Sequence, residues 1–212
     1  TGAQAAWSSG AAEIIVPSGE DRVLTVDRST SLSQLTVSGS GDLTIEVVGN
    51  ETYFPYSVTP NVAGYDGTLT ISFVSQSANK ALSSNWITTL RSATAEKVRY
   101  AFRGSTAANG WNLGAWTSTG NFPVKTHLVM GEGTHTWEVD NSGTSQKFGE
   151  NGTDENPTLL ILSGATLTMN VHDFSGYEGA YVDGGVIRVN DGGTLSAWYV
   201  FSAIGFYPIA GT

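Results

Sequence analysis

Three histidines, nineteen acids and ten bases are all that the chain offers to acid–base or metal chemistry, and it has no cysteine. His127 and His135 fall on strand-like segments, where a strand or rim residue with a local hydrogen bond is the ordinary reading. His172 stands beside Asp173 in Val171-His172-Asp173-Phe174. Neighbours on a strand point to opposite faces, so that acid can orient that imidazole only if the chain turns there. Nucleophilic catalysis needs a Ser or Thr within reach of a His and an orienting acid. No Gly-x-Ser-x-Gly elbow and no His-Glu-x-x-His zinc pattern occurs. Asp66-Gly67-Thr68 and Asp183-Gly184-Gly185 read as turns.

Glycoside hydrolysis asks for two carboxylates roughly 5–10 Å apart across a cleft. Arg188, between Asp183 and Asp191, is the candidate for lyase-type chemistry beside an acid-bound calcium, although turn acids with one Arg form a solvated ladder by default. Calcium without catalysis has a better loop. Glu150, Asp154 and Glu155, with Asn151 and Asn156, crowd hard oxygen ligands into a short polar stretch that lacks EF-hand spacing. No other cofactor is expected. For binding, Asn109-Gly110-Trp111-Asn112-Leu113-Gly114-Ala115-Trp116 is the richest segment. An exposed indole covers the apolar face of a sugar while amides take its hydroxyls. Trp111, Trp116, Asn109 and Asn112 are therefore the candidate ligand-binding residues. The two tryptophans are five apart and face opposite sides of a regular strand, which leaves one of them for the core.

The elements that would position these groups are strands. Gly numbers 26 and charged residues make up only 14%, with Ser, Thr and Asn filling most polar positions, a composition suited to strands and tight turns. Period-two alternation marks Val23–Val26, Leu35–Val37 and Leu43–Val47, and it returns at Leu159–Leu162, Thr166–Val171 and Val186–Val189. Leu167 and Leu195 are 28 apart, and Ile161 and Ile187 are 26 apart. A repeat of roughly 20–30 residues with one or two strands per pass belongs to stacked coils that share an internal apolar column. The stretch around 60–150 differs. It holds Trp86, Trp111, Trp116 and Trp137, longer strands such as Thr68–Val74 and Val98–Phe102, and a hairpin-like run from His127 to Val139 turning on Gly131-Glu132-Gly133. The one segment that invites a helix is Ser92 to Arg99, which reads equally as a loop.

The expected fold is all-β: right-handed parallel β-helix (solenoid) coils over 1–58 and 153–212, flanking a Trp-rich β-sandwich-like or loop-rich insertion over 59–152. A single jelly-roll β-sandwich is the alternative.

Leu35-Thr36-Val37-Ser38-Gly39-Ser40-Gly41-Asp42-Leu43-Thr44-Ile45 and Gly185-Val186-Ile187-Arg188-Val189-Asn190-Asp191-Gly192-Gly193-Thr194-Leu195 resemble the repeats of autotransporter-type passenger and adhesin-like proteins of Gram-negative bacteria. That resemblance covers about half of the chain. It implies a right-handed parallel β-helix at the cell surface, adhesion or scaffolding as the role, and no shared catalytic residues. Thr68–Val74, Asn85-Trp86-Ile87-Thr88-Thr89-Leu90 and His127–Val139 faintly resemble a laminin-G or concanavalin-type lectin sandwich.

A formal net charge of −9 disfavours nucleic acid and anionic membranes as partners. No apolar run approaches the roughly 20 residues of a membrane-spanning helix. The absence of cysteine leans toward an exported bacterial protein. The chain opens without a signal segment and ends on an apolar run, Phe201 to Tyr207, so it reads as a piece of a longer protein. The leading expectation is a surface-exposed or secreted adhesin-like interaction scaffold, extracellular or on the bacterial surface. Its expected partners are a glycan or a protein surface, and it would associate end to end through open strand edges. An extracellular carbohydrate-active enzyme, either a polysaccharide lyase or a glycoside hydrolase on a β-helix, is the second reading. A structural spacer of a larger passenger is the third.

Overall fold

The computed structural model describes residues 10–92, 97–117, 127–140, 159–171 and 180–191. Strands β1 (Gly10–Val16), β2 (Asp21–Val26), β3 (Leu32–Gly39) and β4 (Asp42–Val48) lead to a 3-10 turn, Glu51–Tyr53. Then come β5 (Leu69–Ser75), β6 (Lys80–Ala81), helix α1 (Ser84–Ser92), β7 (Val98–Gly104), β8 (Trp111–Thr117), β9 (His127–Met130) and β10 (Gly133–Asp140). Strands β11 (Leu159–Leu162), β12 (Ala165–Val171), β13 (Ala180–Asp183) and β14 (Val186–Asp191) complete the described elements. The protein is therefore mostly β.

Strands β2, β4, β5, β7, β9, β11 and β13 form one seven-stranded sheet, in that order. Strands β6, β8, β10, β12 and β14 form a second, and β1 pairs with β3 in a third. Every ladder between these strands is parallel. The chain returns to one register of the large sheet after 21 residues (Asp21 to Asp42), 26 (Leu43 to Leu69), 28 (Arg99 to His127) and 31 (Leu128 to Leu159). The second wall changes side on the way. Early passes place β1 and β3 before the large sheet, whereas from β5 onward each large-sheet strand is followed by one of the five-stranded sheet. The stretch from Asn61 to Ala81 touches all three, because Asn61 and Tyr65 bridge to Thr36 and Gly39 of β3.

Alternation decides which side chains fill the interior. Leu24, Ile45, Ile71, Tyr100, Leu128 and Leu159 lie in one register column, and Val26, Val47, Phe73, Phe102, Met130 and Ile161 in the next. All but the half-buried Leu24, on the outermost pass, are buried. Successive passes approach most closely at the corners. Gly39 has φ +98°, and a Cβ on it would sit 2.1 Å from the Val16 carbonyl oxygen. One on Gly110 would sit 1.7 Å from the Thr134 carbonyl oxygen. Neither position has room for a side chain.

Several expectations give way here. Of Ser92–Arg99, Val98 and Arg99 open β7 and 93–96 lie outside the described residues; the helix is Ser84–Ser92, on the segment that carries the faint lectin-sandwich resemblance. Ser83 decides it by capping: its hydroxyl receives the Trp86 N–H at 3.5 Å and its carbonyl the Ile87 N–H at 3.0 Å. Trp86 and Leu90, one helical turn apart, then go into the core. The run His127 to Val139 is no hairpin. β9 and β10 belong to different sheets, and each pairs in parallel with the passes before and after. Ile161 and Ile187 are not equivalent either, since Ile161 pairs with Val182 and Ile187 with Leu167. The Trp-rich stretch contributes β5 to β10 to the same two sheets as its flanks.

Candidate functional site

Trp111 is not an exposed platform. It is fully buried, and its indole N–H lies 3.1 Å from the Phe73 carbonyl and 3.2 Å from that of Arg103. Register explains this, because Trp111 and Leu113 share the inward parity of β8. Asn109 is a turn residue between β7 and β8. Its amide donates to the Ser105 hydroxyl at 2.8 Å and its carbonyl accepts the Thr134 N–H at 3.0 Å. Asn112 does reach the outer face of β8, half-exposed, with Oδ1 accepting the Gly114 N–H at 2.9 Å. The side chain of Trp116 lies outside the described residues, as do Glu150, Asp154, Glu155 and His172.

Among the described residues, Asp183 ends β13 in the large sheet while Arg188 lies on β14 of the five-stranded sheet, and the side chain of Asp191 lies outside the described residues. His135 is fully buried. Its Nδ1 accepts the Trp111 N–H at 3.3 Å and its Nε2–H donates to the Gly131 carbonyl at 3.0 Å. Burial pushes its pKa below the ordinary value, against a smaller upward pull from that Gly131 bond. It is a neutral, satisfied core residue. Burial also pushes the Tyr100 phenol up to about 12. Among the described residues no group of three or more His, Asp or Glu side chains is placed to hold a metal ion.

One interior pair escaped notice in the sequence. Glu51 is 5% exposed, and its carboxylate lies 3.5 Å from the Lys80 ammonium. That ammonium also lies 5.7 Å from the Trp111 ring centre. Twenty-nine residues separate the pair in the chain, and neither partner sits in a motif.

What remains for recognition is the outside. On the five-stranded sheet, Ala81, Asn112, Thr136, Thr168 and Arg188 follow one another across five strands in register. Thr166 and Val186 are neighbours two residues back, with Thr134 beside Thr166, and Glu138 and Asn170 are neighbours two residues ahead. Thr136 donates to the Asn79 Oδ1 at 3.1 Å and Thr134 to the Ala107 carbonyl at 3.2 Å, which fixes both hydroxyls. The large sheet presents Thr44, Glu46 and Val48 on β4, Thr70, Ser72 and Val74 on β5, Arg99, Ala101 and Arg103 on β7, and His127 and Val129 on β9. Arg103 crosses β5 to donate to Glu46 at 2.5 Å, and beneath that bridge Ser72 and Val74 are buried.

No protein-family model, curated protein or solved structure matches the chain. Among the described residues no helix is long and apolar enough to cross a membrane.

Proposed function

We propose that this chain is part of a right-handed parallel β-solenoid serving as a surface-exposed or secreted adhesin-like scaffold of a bacterium, with glycan binding on its outer faces. Parallel ladders in chain order support the solenoid, and parallel crossovers are right-handed in nearly all proteins. A jelly roll would pair its strands antiparallel. The observation that carries the binding reading is the hydroxyl and amide column Asn112, Thr136 and Thr168. Neighbouring rows in a parallel sheet repeat at roughly 4.8 Å, and same-face residues along a strand at roughly 6.6 Å. A flat array of that pitch, poor in charge, offers paired donors and acceptors to successive sugar units. The scaffold holds it rigid, so little ordering opposes binding.

A glycan array tests the reading. Wild-type protein should retain at least one glycan class, and Thr136→Lys with Thr168→Lys should abolish retention. Retention untouched by the double change removes the face from consideration. A specific observation favours one competitor: Trp86, Trp111 and Trp137 are all buried, as expected of a spacer without a ligand. Retention of no glycan at all would give that spacer reading precedence.

A further inference from the structure

Two arginines project from the outer face of β7, and their surroundings differ. Arg103 is held by Glu46 at 2.5 Å. Arg99, four residues earlier on the same face, is half-buried, and no acid or hydrogen-bond acceptor pairs with it among the described residues. Its planar donor fork is thus not committed to a neighbouring acid among the described residues and is available to an arriving anion. By register Arg99 stands between Thr70 on β5 and His127 on β9, and Thr44 lies one strand beyond Thr70. His127 is buried at 6% exposure and closes one side. Ala101 leaves low ground between the two arginines, beside the Ser72 position.

We infer that Arg99 binds the carboxylate of an acidic saccharide of the uronate type, with Thr70 and Thr44 beside it for the ring hydroxyls. This rests on the glycan-binding reading above and places a second, charge-selective subsite on the other sheet. The guanidinium fork matches a carboxylate through two parallel hydrogen bonds. An acidic peptide fits less well, because β7 is hydrogen-bonded to β5 and β9 on its two sides and has no free edge for an added strand. The chain's net charge of −9 argues against a general polyanion surface and for a single local contact.

The test is calorimetric titration with oligogalacturonate and with its methyl ester. The acid should bind at least about tenfold more tightly than the ester, the scale of a charge-assisted pair, and more weakly as salt rises. Arg99→Gln should remove that preference while leaving the unfolding temperature unchanged. Arg99→Lys should restore only part of it, and Thr70→Val should weaken acid binding a few-fold. Equal binding of acid and ester, or an acid preference that survives Arg99→Gln, overturns the inference. A Glu-rich peptide that binds at Arg99 as well as the sugar overturns the saccharide assignment. Neutral glycans retained through Thr136 while the acid is ignored sink this subsite alone, whereas no binding to any glycan sinks the glycan-binding reading with it.

Discussion

Between β2 and β4 the inner columns hold Leu24, Ile45, Val26 and Val47, whereas between β5 and β7 the same register positions hold Ile71, Tyr100, Phe73 and Phe102. The aromatic passes draw in more rings from elsewhere. Phe73 meets Trp86 edge-on at 4.9 Å and stacks on Phe102 at 5.4 Å, while Trp86 lies 6.3 Å from Phe54. Trp111 closes the group against Phe73 and Phe102. The change coincides with the place where the second wall moves from β1 and β3 to β6 and β8. Aromatic rings there supply volume that Val and Leu do not. Among the described residues, Trp86, Trp111 and Trp137 of the tryptophan-rich stretch all fill the core at this change of wall.

That contrast can be broken by substitution. Trp86→Ala should cost about 3–5 kcal/mol in denaturant unfolding, while Ile45→Val in the aliphatic passes should cost about 0.5–1.5 kcal/mol. Equal costs would mean that the aromatic passes are no more tightly packed than the aliphatic ones. Next in size is Lys80→Ala, which strands the buried Glu51 carboxylate, for about 2–3 kcal/mol once the partial exposure of Lys80 is allowed for. Adding Glu51→Gln should recover part of that loss, and a strictly additive double variant would show that the pair does not interact. Gly110→Ala should cost about 1–3 kcal/mol through collision with the Thr134 carbonyl, against almost nothing for Gly64→Ala, which meets nothing within 4 Å. The mildest effect is one of pH. Because burial lowers the pKa of His135, the unfolded chain holds more protons than the folded one between the two values. Stability should be full above the ordinary histidine value near 6.5 and decline as pH falls below it. Urea titrations from about pH 8 to about pH 5 should show a shallower acid slope in His135→Gln. An identical slope would assign the acid loss to other groups.

Much of the strand pattern was legible in advance, because alternation is written in consecutive residues. Val23–Val26, Leu43–Val47 and Leu159–Leu162 lie within β2, β4 and β11. The partners were not legible. Which Leu stacks on which depends on loop lengths that vary from pass to pass, so Ile161 and Ile187 looked like a repeat while sitting on different walls. Helix α1 carries the β-branched Ile87, Thr88 and Thr89, and its capping Ser83 matters only once Trp86 and Leu90 have a core to enter. The same i, i+2 parity that buries Leu113 with Trp111 was available, and it pointed inward. Arg99 and Glu51 carry no signal of their own, since pairing or the lack of it is a property of neighbours 28 or 29 residues away.

Trp86 gives the molecule a property that its sheets lack. Each strand there is bonded only to the pass before and the pass after, so fraying from β1 can advance one pass at a time. Trp86 donates its indole N–H to the Glu51 carbonyl at 3.1 Å and touches rings from the 3-10 loop, β5 and β7. It fastens three successive passes with one side chain, like a rivet through stacked plates. A chain pulled from its first strand would yield in small steps as far as β4 and then resist until several passes let go together.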